Sequence, residues 1–302
     1  HNVVVITGPP GTGKTTVIRT LYRWMTVDRL RIALAAPTGR AARRLTEVVQ
    51  APAHTLHRLL GIGHGDERGA RKLTADVVVV DEASMLDLPL FHALVTKLHP
   101  GRVLVLVGDE DQLPSVGPGA VLADIIRSRA APVARLSTIF RQGPGSGIVR
   151  GADRIRRGLP PLAPDTAADL VFDRQEDPHR AAQAVVRHAE RHPGAQVLSP
   201  MNRGACGVER LNQLLRPRLN PGGHPVPFGA GELFTGDRVI HLANDYQKDL
   251  FNGDIGSLLE VDVRKRAVAT EFSGRRVIFQ QDELDQLAPA FALSVHKAQG
   301  SE

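Results

Sequence analysis

Residues 8–15 read Gly-Pro-Pro-Gly-Thr-Gly-Lys-Thr and follow directly on the apolar run Val3-Val4-Val5-Ile6. A helical pattern from Thr15 to Met25 comes next. In a Gly-x4-Gly-Lys-Thr loop the glycines let backbone N–H groups turn inward around a polyphosphate. Lys14 adds a point charge for the β- and γ-phosphates, and the Thr15 hydroxyl is a ligand for Mg²⁺. The residues assigned to the nucleotide are Gly11, Thr12, Gly13, Lys14, Thr15 and Thr16. A Gly-rich turn without chemical purpose can mimic this pattern. The strand before it and the helix after it argue for a true phosphate loop, and so for a nucleoside triphosphate with Mg²⁺.

The rest of the chain fits an α/β protein. Short apolar runs recur at Val3–Ile6, Ile32–Ala36, Val77–Val80, Val103–Val107 and Val133–Leu136. Near-continuous apolar strands of this kind belong to parallel sheets covered on both faces. Several end in polar or glycine-bearing segments: Thr7-Gly8, Pro37-Thr38-Gly39, Asp81-Glu82 and Gly108-Asp109. Ligands of open α/β sheets bind beyond the carboxyl ends of strands, so four segments converge on one crevice. The Gly-rich stretch at 142–147 marks a domain break, after which a second α/β unit begins with Val197-Leu198-Ser199 as its clearest strand and Val208–Leu215 as a helix. From about residue 228 the pattern changes to short strands at Arg238–Leu242, Gly256–Val263, Ala267–Phe272 and Arg276–Phe279. These read as a small β-barrel inserted into the second unit, with Phe291–Val295 returning to its sheet. Residues 61–75 read as a surface loop or a short protruding hairpin.

Composition narrows the class. The 302 residues, 42% hydrophobic, suffice for two domains with real cores. No apolar run approaches the ~20 residues of a membrane helix, and no secretory signal is visible. Cys206 is the sole cysteine, which excludes an intrachain disulfide and fits a reducing, cytoplasmic compartment. Net charge is +6, and 32 of the 38 cations are Arg, a mild excess that suits a polyanionic partner. The chain opens on His1 rather than Met and stops at Glu302 directly after a motif, so it reads as a piece of a longer protein.

The strand ends carry the remaining chemistry. Asp81 is placed to hold Mg²⁺ through water, and Glu82 to orient and deprotonate the attacking water. Gln112, in Gly108-Asp109-Glu110-Asp111-Gln112-Leu113-Pro114, is placed to sense the γ-phosphate. Arg141, in Phe140-Arg141-Gln142, stands at the boundary of the two units, where an arginine can reach a γ-phosphate when a cleft closes; an ordinary surface arginine is the plainer alternative. Arg40, Arg43 and Arg44 share a helical face after Pro37-Thr38, which suits a nucleic-acid phosphate or merely a solvated basic face. His54-Thr55-Leu56-His57 lacks acidic or Cys companions and fits a phosphate contact or a cap better than a metal site.

These motifs, with Ser294-Val295-His296-Lys297-Ala298-Gln299-Gly300-Ser301-Glu302, stand in the order of the superfamily 1 helicase motifs, and their wording resembles the RecD-like branch. Leu198–Gly204, Leu211-Asn212 and Asn252–Gly256 extend the resemblance over essentially the whole chain. The resemblance implies a 5′-to-3′ DNA helicase fuelled by ATP, with two RecA-like phosphate-loop NTPase domains and an SH3-like barrel inserted in the second. In this chain it implies a first domain at 1–145 with a duplex-splitting pin at 61–75, a second at 146–227 and 288–302, and the barrel at 228–287. It makes Lys14, Asp81, Glu82, Gln112 and Arg141 the catalytic set, with Arg141 an arginine finger and Thr15 and Asp81 at the metal. It assigns DNA contact to Pro37, Thr38, Arg40, Thr55, His57, Asn202, Arg203, His296, Lys297 and Gln299. Single-stranded and forked duplex DNA are the implied partners, and a monomer is the default. Arg40 departs from the family's usual Lys, and a further arginine-bearing motif is expected beyond Glu302. The rival readings are a phosphate-loop ATPase that DNA stimulates without translocation, and a nucleotide-gated DNA-binding fragment.

Overall fold

The structure, a computed structural model, describes residues 2–62, 72–141, 146–161, 169–228, 233–245 and 247–299. The chain divides into two compact units, His1–Phe172 and Asp173–Glu302. Most of the proposed pin, residues 63–71, lies outside the described residues, as do the Gly-rich stretch 142–145 and the last three residues. Among the described residues no helix is long and apolar enough to cross a membrane.

The first unit runs β1 (Val3–Thr7), α1 (Lys14–Val27), β2 (Ile32–Ala36), α2 (Gly39–Val49), β3 (Ala53–Thr55), α3 (Leu56–Leu59), β4 (Val77–Val80), α4 (Leu88–Lys97), β5 (Val103–Gly108), α5 (Val121–Ser128), β6 (Val133–Arg135) and α6 (Gly147–Arg156). Its six strands form one parallel sheet in the order β3-β2-β4-β5-β1-β6. The valine runs explain the layering. Side chains alternate across a strand, so Val78, Val80, Leu104 and Leu106 face one way, onto Leu90, Leu94 and Leu122 of α4 and α5. Val77, Val79, Val105 and Val107 face the other way, onto Ile18, Leu45 and Val49 of α1 and α2. Both faces are covered, and each fully buried aliphatic side chain contributes roughly 1.5–3 kcal/mol.

Two details differ from the sequence reading. Ala53–Thr55 is a sixth strand, paired with β2 through Leu34 and Ala53. The division between units falls at Phe172, later than the Gly-rich stretch, and α6 belongs with the first unit.

The second unit holds α7 (Pro178–Arg191), β7 (Val197–Ser199), α8 (Val208–Leu219), β8 (Arg238–His241), β9 (Ile255–Asp262), β10 (Ala267–Phe272), β11 (Arg275–Gln280), β12 (Leu287–Pro289), β13 (Ala292–Ser294) and α9 (Val295–Ala298). β7 and β13 pair in parallel, with α7 and α8 packed on them through Ala182, Ala189, Leu211 and Leu215. Between α8 and β13 the chain makes a five-stranded antiparallel sheet, order β11-β10-β9-β8-β12, around Val239, Leu258, Val268, Phe272 and Phe279. The strands expected from residue 238 onward are therefore present, as one antiparallel sheet.

A carboxylate ties the amino-terminal ends of three strands in the first unit. Asp76, just before β4, accepts from the Arg31 backbone N–H at 2.9 Å and from Arg31 Nε and Nη2 at 3.0 Å each, and it also pairs with Arg102. Arg31 precedes β2 and Arg102 precedes β5. The Arg31 guanidinium, with its backbone N–H and Arg102 adding to it, holds the Asp76 carboxyl well below the usual carboxylate range. A carboxyl whose pKa is depressed by folding stabilises the fold above its unfolded value, near pH 4, and that contribution fades as pH falls below it. Asp76→Asn is therefore expected to lower the thermal midpoint at pH 7, with the gap to the parent narrowing as pH is taken from 4 towards 2. Calorimetry across that range checks this, and a gap of constant size refutes it.

Candidate nucleotide site and nucleic-acid contacts

The phosphate loop leaves β1 at Thr7 and enters α1 at Lys14, whose N-cap, Gly13, stands at φ 83. The Thr12 hydroxyl donates to the Pro9 carbonyl at 2.8 Å and fixes the loop from inside. Lys14 Nζ donates to the carbonyls of Gly8 at 2.6 Å and Pro9 at 3.1 Å, which holds the ammonium across the loop. Thr15 and Thr16 follow in the first turn of α1, where backbone N–H groups have no partner within the helix and attract anions.

Arg141 lies against this loop. The Phe140 N–H donates to the Gly11 carbonyl at 2.8 Å, and a Cβ on Gly11 would come within 2.7 Å of Arg141 Cβ. Gly11, at φ 78, supplies both the backbone turn and the space. Arg141 thus belongs to the loop's immediate surroundings within the first unit.

The next two strands bring the carboxylates and the amide. β4 ends at Val80, and Asp81 follows, buried, its Oδ1 accepting from the Glu82 N–H at 3.0 Å. Glu82 has φ 52, a left-handed conformation that costs a non-glycine residue of order 1 kcal/mol and is held only where surroundings impose it. β5 ends at Gly108, and Asp109 follows, also buried. Asp109 Oδ1 accepts from the Asp111 N–H at 3.0 Å, and its carbonyl accepts from the Gln112 N–H at 3.3 Å. That turn presents Gln112, whose Oε1 receives the Ser84 hydroxyl at 3.3 Å. Burial pushes the Asp109 carboxyl up, while the Asp111 N–H and the nearby Lys14 charge pull it back.

Lys14, Asp81, Glu82, Gln112 and Arg141 therefore all sit on segments leaving the carboxyl edge of one sheet or packed against the phosphate loop. Sequence reading missed two members of this neighbourhood: Ser84, which follows Asp81-Glu82, and Asp109, which lies inside the Gly108–Pro114 motif. A further ring of ion pairs, Arg135 with Glu110 and Arg156 with Asp111 at 2.6 Å, holds the loop after β5 from outside.

The residues assigned to DNA fall in both units. In the first, Thr38 is the N-cap of α2, its hydroxyl accepting from the Ala41 N–H at 3.2 Å. Thr55 is buried and caps α3 by accepting from the Arg58 N–H at 3.2 Å. A threonine hydroxyl that accepts one such bond still has a proton to donate. His57 is exposed; Pro37, Arg40, Arg43 and Arg44 are partly buried, so the α2 arginines do not form a freely solvated face. The His54 imidazole is pushed down by burial and by the Arg58 charge.

In the second unit, the loop after β7 carries Asn202 and Arg203, both exposed. Ser199 closes that loop, its hydroxyl 2.7 Å from the Cys206 carbonyl and 3.3 Å from the Met201 N–H. After β13, Ser294 caps α9 by accepting from the Lys297 N–H at 3.2 Å, and His296, Lys297 and Gln299 follow. Asn212 locks α8 onto β13, donating to the Ala292 carbonyl at 3.0 Å and accepting from its N–H at 2.9 Å.

Residues 1–175 match the family model described as AAA domain, and residues 211–272 match that of the ATP-dependent RecD-like DNA helicase SH3 domain. The ATP-dependent RecD2 DNA helicase of Deinococcus radiodurans is 37% identical over all of this chain, which spans 42% of that protein. The RecBCD enzyme subunit RecD of Mycolicibacterium smegmatis is 34% identical over the whole chain, which covers 62% of it. The chain thus spans roughly half the length of these relatives. Among solved structures, two coordinating Pif1 helicases at forked duplex DNA give a TM-score of 0.61 at 20% identity, covering 99% of this chain and 79% of that one. Pif1 from Candida albicans gives 0.55 at 20% identity, covering 99% and 83%. The six-stranded parallel sheet with its phosphate loop, the matched SH3 segment and the similarity to RecD proteins along the whole of this chain have one reading: this chain belongs to the RecD-like helicase family.

Proposed function

We propose that this chain is the motor portion of an ATP-dependent DNA helicase that moves 5′-to-3′ along one strand and unwinds duplex DNA at a fork. The observation that carries the reading is the convergence of the phosphate loop, Asp81-Glu82 and Gln112 at the ends of β1, β4 and β5, with Arg141 packed on Gly11. Phosphoryl transfer to water needs little covalent help from a protein; it needs a fixed water, a gripped γ-phosphate and charge compensation. Glu82 is the residue to orient and deprotonate the water, Gln112 to report on the γ-phosphate, and Lys14 to hold it. Arg141 stabilises charge that develops on transfer, a role worth ~10³–10⁵ in rate in comparable enzymes. The Thr15 hydroxyl and the Asp81 carboxylate are hard oxygen donors of the kind that would hold Mg²⁺, which would supply charge neutralisation to the polyphosphate.

The first unit is read as the first RecA-like domain, and β7, β13, α7 and α8 as part of the second. The antiparallel sheet with the matched SH3 segment is read as the inserted barrel. DNA contact is assigned to Pro37, Thr38, Arg40, Thr55 and His57 in the first unit and to Asn202, Arg203, His296, Lys297 and Gln299 in the second. The relatives' names support this: RecD2 is called an ATP-dependent DNA helicase, and one solved Pif1 is bound to single-stranded DNA.

Lys14→Ala and Glu82→Gln in the full-length protein are each expected to cut DNA-stimulated ATP hydrolysis by at least about a hundredfold, as loss of a positioned proton acceptor or a phosphate clamp does. Steady-state phosphate release measures this, and near-normal turnover in either variant refutes the site. A parent protein that hydrolyses ATP with single-stranded DNA but never displaces a strand is instead a non-translocating ATPase. Affinity for single-stranded DNA should fall linearly on a log–log plot against salt. Arg203→Ala should make that slope shallower by about 0.7, the share of one phosphate contact. A salt-insensitive parent, or an unchanged slope, removes Arg203 from the strand's path.

A further inference from the structure

We propose that the second unit contains a pocket for one unstacked base of a single DNA strand, in a cavity of about 300 Å³ between α8, β8 and the β12–β13 segment. This rests on the reading above that the second unit binds single-stranded DNA, and goes beyond it by making a base, rather than the sugar-phosphate chain, the group that is recognised.

Four observations carry it. The first is position. Asn202 follows the end of β7 and Lys297 follows the end of β13, so the cavity opens beyond the carboxyl ends of a parallel pair, where open α/β sheets bind ligands. The second is the floor. Ile240 and Leu293, both fully buried, and Pro289 line it, and an apolar floor rejects a bare phosphate chain because burying unpaired charge there is costly. A flat heterocycle pays no such penalty on its faces. The third is Arg216, whose guanidinium lies 3.6 Å from the centroid of the Phe234 ring while the same side chain lines the cavity. A planar guanidinium seated over one ring offers its other side to a stacking base.

The fourth is the charge on the walls. Lys297 stands exposed at the rim, and partial desolvation pushes its ammonium below its ordinary value. A phosphate flanking the bound base relieves it. Glu209, on the same wall, repels a phosphate but accepts a hydrogen bond from an exocyclic amino group. The pocket therefore favours cytosine, adenine or guanine over thymine.

The test compares binding of the full chain to a short oligodeoxynucleotide and to an abasic strand of equal length. The parent is expected to prefer the base-bearing strand by about tenfold, within the range that one stacked base provides. Ala288→Leu fills the cavity, and Arg216→Lys keeps the charge but loses the planar face. Each should bring the two affinities within about twofold by weakening only the base-bearing strand. Oligo(dC) should bind more tightly than oligo(dT). Equal affinities for base-bearing and abasic strands in the parent, or a preference that survives in both variants, overturns the pocket; equal affinity for oligo(dC) and oligo(dT) overturns the part given to Glu209. A parent that binds neither strand overturns the DNA reading itself. Circular dichroism checks folding, and if Ala288→Leu does not fold, Arg216→Lys decides the matter.

Discussion

The register of β1 against β5 is the constraint on which the nucleotide site depends. Thr7 stands opposite Gly108, and the Gly8 N–H continues the ladder onto the Gly108 carbonyl at 3.3 Å. Two strand ends thereby finish at one height. The glycines there are sterically required. A Cβ on Gly8 would lie 2.4 Å from the Leu136 carbonyl, and one on Gly108 would lie 3.1 Å from the backbone nitrogens of both Ala83 and Ser84. Side chains at these two points would push the chain after β6 away from the phosphate loop and the Asp81-Glu82 turn away from β5.

The same physics explains what was readable in advance. A run such as Val77–Val80, buried on both sides, has no amphipathic alternative and must be a central parallel strand. Ala53-His54-Thr55 has no such run; it becomes a strand only because β2 offers it an edge, with Leu34 opposite Ala53. Pairing partners are tertiary information, and a three-residue segment carries too little of it.

Within the site, the residues legible in sequence are those whose chemistry demands a particular type at a fixed distance from a strand end: Lys14, Asp81, Glu82 and Gln112. The others act through conformation. Ser84 matters because a short helical turn after Glu82 brings its hydroxyl to Gln112, and no local pattern announces a contact made across two loops. Thr38 and Thr55 show the converse ambiguity. The residue types that bind phosphate are also the best helix caps, and here both hydroxyls do cap helices. Capping and phosphate contact are compatible, since a capped helix start is where an anion binds best, but sequence cannot separate them.

A polyanion site lined by carboxylates looks self-defeating until the signs are sorted by element. Lys14, the α1 N-terminus and Arg141 are positive, and all belong to the phosphate loop or pack on it. Asp81, Glu82 and Asp109 are negative, and all leave the ends of β4 and β5. The Lys14 charge favours ionised Asp109 against the effect of burial, so the two sets are electrostatically coupled. On the proposed reading, phosphate is gripped on the first side while water and metal are held on the second, and the reacting bond lies along the line between them. That separation follows from parallel strands alone. Every strand in the sheet ends on the same edge, so neighbouring loops carry different charges without any chain having to cross.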